Sequence, residues 1–154
     1  MAHVRITAPV DGIEGTALYE ALDDEGSPLP GPHVALVGLM HGNEPVGGML
    51  LDRLEPLLGD HLARGSVLCV RANPEAARQK RRFTRGGTNL NRLWDAESLR
   101  WIAAMPEADR NYEHRRALAL APHLQATDGI LDLHSTTQPS PPFLVFRDDQ
   151  QHYL

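Results

Sequence analysis

The sequence predicts an α/β fold, with a largely parallel or mixed sheet flanked by helices. Three observations carry that expectation. Apolar runs at 34–39, 66–71 and 130–134 have the length and composition of buried strands. Segments of helical period lie between them, and strands that alternate with helices imply parallel pairing with helices on both faces. Two of the runs end in a strand-to-helix corner, at His41-Gly42-Asn43-Glu44-Pro45 and at Ala72-Asn73-Pro74, and the third ends in a polar loop.

Taken in order, 4–9 and 16–21 alternate partially and read as two strands joined through the turn signal Asp11-Gly12. A loop rich in Asp, Gly and Pro covers 23–32 and leads into the strand at 34–39. The helix predicted over 45–58 places Val46, Met49, Leu50 and Leu54 on one face. Gly47-Gly48 weakens it locally, so close packing or backbone approach is expected there. Gly59-Asp60 ends it. After the strand at 66–71, a short helix fits 75–79, and 81–91 is irregular. Helices follow at 93–105 and 110–124, the second with Leu118, Leu120, Ala121 and Leu124 inward, and Trp94 and Trp101 read as packing residues. Thr127-Asp128-Gly129 stops the second helix. A loop rich in Ser, Thr and Pro occupies 135–142, and a last strand is expected at 143–146.

A length of 154 residues suits one domain, and 42% hydrophobic residues suffice for a real core. The net charge of −5 argues against general nucleic-acid binding. Cys69 is the lone cysteine and lies in an apolar run, so a reduced, buried thiol is expected. No run of about 18 apolar residues is present, so no membrane span is expected. The first residues lack the apolar core of a secretory signal, and a cytoplasmic location is the default expectation.

The chemistry concentrates where strands end, because ligands in open α/β sheets bind in the crevice beyond the carboxyl ends. His41 and Glu44 are three apart at such a corner and can converge on one ion. Zinc accepts an imidazole and a carboxylate, and catalytic sites take three protein ligands and keep a fourth position open. Gly42 would let the backbone turn between the two ligands, and Pro45 suits a first helical turn. His134 ends another strand on the same predicted edge and completes the set, with Asp132 behind it or near the reacting group. From Arg78 to Arg92 the chain holds six cations and no acid, a local positive loop in an acidic protein that suits an anionic substrate. Arginine grips carboxylates through a bidentate fork, with Arg92 and one of Arg81 or Arg82 as the anchors. RNA binding competes as a reading of this loop, which lacks interleaved aromatics apart from Phe83.

His41-Gly42-Asn43-Glu44, Asn73-Pro74, Arg82-Phe83, Asn89-Leu90-Asn91-Arg92 and Asp132-Leu133-His134-Ser135-Thr136, in that order, resemble the succinylglutamate desuccinylase/aspartoacylase family of the zinc carboxypeptidase-like group. The resemblance runs from residue 34 to residue 146. It implies a zinc-dependent amidohydrolase acting on an N-acyl amino acid or a related small carboxylate-bearing amide. It implies one zinc per chain on His41, Glu44 and His134, a substrate carboxylate held by Asn91 and Arg92, and an oxyanion stabilised by Arg82. Two departures matter. Asn89 stands where the family has an acid that orients the first zinc histidine, so weaker zinc binding is expected. The family's general-base glutamate lies well downstream of the last zinc histidine, and 135–154 contains no Glu, only Asp148 and Asp149. The chain 1–154 is therefore expected to be an incomplete zinc hydrolase-like catalytic domain, the amino-terminal part of a longer enzyme, with slow or absent turnover. A carboxypeptidase-like peptidase, a non-catalytic zinc- and carboxylate-binding module and a metal-free structural domain are the alternatives. The acyl group and amino acid are not read from the sequence, and a homo-oligomer is left open.

Overall fold

The computed structural model describes residues 3–136, 138, 139, 141–143 and 145. Five strands form one mixed sheet: β1 (His3–Thr7), β2 (Thr16–Leu22), β3 (His33–Gly38), β4 (Ser66–Arg71) and β5 (Gly129–Asp132). Their spatial order is β1-β2-β4-β3-β5. The first two strands pair antiparallel, and β2 runs antiparallel to β4. β3 lies between β4 and β5 and is parallel to both. Gly38 pairs with Arg71, and Val37 with Asp132, so the carboxyl ends of all three parallel strands meet on one edge.

Alternation along the strands divides the core between two faces. Ala35, Val37, Leu68 and Val70 face α3 (Ala96–Ala104) and α4 (Tyr112–Gln125), with Ile102, Ala117 and Leu120 fully buried against them. Val67 and Cys69 face the other way, toward α1 (Val46–His61) and its buried Leu51. Burial pushes the Cys69 thiol up to about 12, consistent with an inert core residue. Arg116 on α4 is buried yet satisfied, because its guanidinium donates to the carbonyls of Ala72, Glu14 and Arg71 and so ties α4 to the end of β4.

Helix α1 presents a different face from the predicted one. Val46, Met49, Leu50 and Leu54 are exposed, whereas Gly47, Gly48 and Leu51 are buried. A Cβ on Gly47 would lie 2.6 Å from the Leu133 carbonyl oxygen and 2.9 Å from the Gly38 Cα. The helix thus packs through its glycines, which the apolar period could not register. It also continues past Gly59-Asp60 to His61. Trp101 is exposed and lies T-shaped to His114, at 5.6 Å between ring centroids. The strand expected at 143–146 falls partly outside the described residues, and Phe143 and Val145 carry no regular structure. Asp148 and Asp149 lie outside the described residues. No helix among the described residues is long and apolar enough to cross a membrane.

Candidate metal centre

The corner after β3 begins at Leu39, whose φ of 55° turns the chain off the sheet. A non-glycine residue in that region is uncommon and is held here by tertiary bonds. The Ala72 amide donates to the Gly38 carbonyl and the Asn73 amide to the Leu39 carbonyl, carrying the β3–β4 pairing around the bend. Met40 then drops into the core, and His41 lies beneath the loop at 2% exposure. The Glu44 amide closes the turn on the His41 carbonyl at 3.1 Å. Gly42 serves close approach rather than the turn: a Cβ there would lie 2.1 Å from the Ala76 carbonyl carbon of α2 (Pro74–Arg78).

His41, Glu44 and His134 converge, with one ligand atom from each lying within 4.8 Å of the others. His41 Nδ1 is 2.9 Å from Glu44 Oε1, and His134 Nδ1 is 2.8 Å from Glu44 Oε2. The outer nitrogens are both engaged. His41 Nε2 meets Asn89 Oδ1 at 3.1 Å, and His134 Nε2 meets Asp132 Oδ2 at 2.7 Å. Each Nδ1 therefore faces inward with its tautomer governed by an outer partner, the arrangement that metal-bound histidines use. Two imidazoles and a carboxylate at this spacing fit one ion with bonds of about 2 Å. Asp132 has the outer role, and the Ser135 amide donates to Glu44 Oε2 at 3.2 Å.

The charges suit a cation. Burial pushes the His41 imidazole below its usual range, against the pull of Glu44 and Asn89. The Asp132 hydrogen bond is the largest influence on His134 and, with Glu44, raises it to about 9. Burial acts upward on the Glu44 carboxyl, but the His134 and Ser135 hydrogen bonds outweigh it and hold it below the usual carboxylate range. Without an ion, a proton on His134 thus offsets two carboxylates, and a divalent cation would displace that proton.

Arg82 reaches the same carboxylate, with Nη1 at 3.3 Å from Glu44 Oε1. Arg92 does not join the cluster: it is exposed, and its Nη1 donates to the Asn91 carbonyl at 2.8 Å. Asn91 lines a cavity of about 190 Å³ together with Met40, Trp94, Ile130 and Asp132. Arg81 is exposed, and Arg78 is paired with Glu14 and Glu75.

The residue that sequence reasoning missed is Glu113. It is fully buried on α4 and accepts from the Thr84 amide at 2.7 Å, Thr84 Oγ1 at 2.9 Å, Asn73 Nδ2 at 3.1 Å and the Thr88 amide at 3.3 Å. Burial pushes its carboxyl up, yet the bonds from Thr84 and Asn73 prevail and the net shift is downward. Hydrogen bonds to a charged acceptor contribute about 1.5–3 kcal/mol each, which offsets the cost of burying the charge. A signal was present in the sequence. Glu113 shares one helical face with Arg116, Ala117, Leu120 and Leu124, and an acid on an inward face needs a partner.

An α/β sheet whose parallel strand ends gather a His-Glu-His cluster defines the class, a domain built around a metal-type site in the crevice at the strand ends. A family model of the succinylglutamate desuccinylase/aspartoacylase catalytic domain matches residues 30–153, and the chain belongs to that family. Among solved structures, an aspartoacylase family protein from Mesorhizobium loti is 26% identical with a TM-score of 0.58, covering 86% of this chain and 44% of that one. A structure from Shewanella frigidimarina described as a succinylglutamate desuccinylase/aspartoacylase is 20% identical with a TM-score of 0.60, covering 88% and 47%. Succinylglutamate desuccinylase from Vibrio parahaemolyticus is 18% identical with a TM-score of 0.56, covering 91% and 49%. The chain thus spans less than half the length of these solved relatives. No curated protein sequence matches it.

Proposed function

We propose that the chain carries the metal-binding part of a zinc-dependent hydrolase that cleaves the amide bond of a small N-acyl amino acid or a related carboxylate-bearing substrate. One zinc per chain is held by His41, Glu44 and His134. The convergence of these three side chains, with each outer imidazole nitrogen already engaged, is the observation that carries the reading. Family membership supports the reaction class.

Zinc at such a site supplies polarisation of a carbonyl and a lowered pKa for water. Asn89 and Asp132 keep the two imidazoles oriented. Arg82, exposed beside Glu44, donates to the oxygen that gains charge as the carbonyl is attacked. Asn91 and Arg92 bind the substrate carboxylate and fix its distance from the reacting carbon. The alternative is a zinc- and carboxylate-binding module without turnover.

Elemental analysis of wild type and of His41→Ala, Glu44→Ala and His134→Ala tests the centre. About one zinc per folded wild-type chain, lost in each variant, is expected. A folded wild type that takes up no zinc overturns the reading. Hydrolysis of N-acyl amino acids by the zinc-loaded chain would rule out the binding-module reading.

A further inference from the structure

Three of the four hydrogen bonds to Glu113 come from the loop that carries Arg82 and Asn89. Thr84 lies two residues after Arg82, and Thr88 immediately precedes Asn89, so the carboxylate grips the loop at both flanks. The chain fits tightly around it: a Cβ on Gly87 would lie 2.1 Å from Glu113 Oε2. Asn111, which caps α4, adds a bond from Nδ2 to Thr88 Oγ1 at 2.8 Å. The fourth bond to Glu113 comes from Asn73, whose Oδ1 also caps α2, the helix pressed against Gly42. One buried side chain therefore links the loop, the α2 cap and α4.

We propose that Glu113 is a positioning residue of the metal centre: by clamping the loop at Thr84 and Thr88, it holds Asn89 against His41 and Arg82 against Glu44. This rests on the metal reading above. Among the described residues, the hydrogen bonds of the Glu113 carboxylate go to Thr84, Thr88 and Asn73 rather than to the proposed ligands. Its effect on the metal passes through Asn89, whose Oδ1 also accepts from the Asn91 amide at 3.1 Å and so presents an acceptor to His41. A glutamine at 113 would keep the shape but turn an NH2 group toward donors, releasing one flank of the loop.

The test is zinc affinity, by competition with a chelator, for the 154-residue chain as wild type, Glu113→Gln, Asn89→Ala and the double variant, with folding checked by circular dichroism. Glu113→Gln is expected to weaken zinc about tenfold, the lower end of the range for groups that orient ligands. In the Asn89→Ala background the same change is expected to cost less than about twofold, because the route is already broken. A carboxylate that merely stabilised the fold would give additive losses, and additivity in folded variants overturns the proposal. Should Glu113→Gln fail to fold, Thr84→Val replaces it in the same cycle, with an expected loss of about threefold that disappears alongside Asn89→Ala. Unchanged zinc affinity in folded Thr84→Val then overturns the proposal. A wild type that binds no zinc overturns the metal reading itself, whereas a zinc-binding wild type with additive losses overturns only the role of Glu113.

Discussion

His41 and Glu44 are placed by the main-chain turn that follows β3, whereas Arg82 and Asn89 lie on a loop bonded to a carboxylate on another element. At the corner, the turn at Leu39, the continued β3–β4 pairing and the contact of Gly42 with α2 fix the backbone, and the side chains follow. In the loop, Thr84 and Thr88 turn to Glu113, where Asn73 of the α2 cap joins them, and main-chain bonds from Gly42 to the Arg82 carbonyl and from Gly87 to the Thr84 carbonyl add to that hold. The first region needs shape and the second needs a charge. The two should therefore break under different substitutions and different conditions.

The largest expected effect is at Gly42. A Cβ 2.1 Å from backbone carbon cannot be absorbed by a rotamer change, so Gly42→Ala must separate the corner from α2. A loss of about 3 kcal/mol is expected, the upper range for overpacking. Gly86 is the control: it has φ of 75° and nothing within 4 Å of an added Cβ, so alanine there should cost only about 1 kcal/mol of backbone strain. Urea melts of both variants measure the difference, and equal midpoints would refute the close-approach argument.

pH separates the regions next. The metal-free His134 is raised to about 9, above its unfolded value of 6.5. Its contribution to stability is fully present below 6.5 and is lost as pH rises through about 9. Glu113 is shifted down from 4.5, so its contribution is present above 4.5 and is lost as pH falls through the lower folded value. Glu44 shares that acid-side sign, whereas the loss between pH 6.5 and 9 comes from His134. Urea midpoints of the metal-free chain should fall between pH 6.5 and 9.5, and His134→Gln should flatten that limb. An alkaline limb that persists in the variant would assign it to another group.

This contrast explains what the sequence made legible. The parallel strands, the edge they share and the three converging side chains follow from apolar runs and short motifs, because local residues build those features. The antiparallel pairing of β1 with β2 follows from the turn signal between them, whereas the antiparallel pairing of β2 with β4 rests on tertiary contacts that no local pattern records. The inward face of α1 was misread because its contact is made by Gly47 and Gly48, residues with no side chain to mark a face. Glu113 is legible only in part: its place on the inward face of α4 marks it as an acid in need of partners, but those partners lie on other segments that no local pattern identifies.

Asn89 offers a finer probe, since it belongs to the loop but acts on the corner. Asn89→Asp adds a charge at 3.1 Å from His41 Nε2 and should raise zinc affinity about tenfold, measured by chelator competition. No gain would mean that the neutral acceptor already orients the imidazole as well as a carboxylate does.

The smallest effect distinguishes the two arginines. Arg82 sets a positive charge 3.3 Å from a proposed ligand, where it repels a divalent ion and competes for Glu44. The pair is partly exposed, so its influence is worth no more than about 1 kcal/mol. Arg82→Ala should therefore tighten zinc by about threefold while weakening any carbonyl-bearing ligand. Arg92 donates to the neighbouring Asn91 carbonyl rather than to the cluster, and Arg92→Ala should leave zinc affinity unchanged while weakening a bound carboxylate. If Arg82→Ala instead loosens zinc, the guanidinium orients Glu44 more than it repels the ion, and the loop contributes to metal binding by a second route besides Asn89.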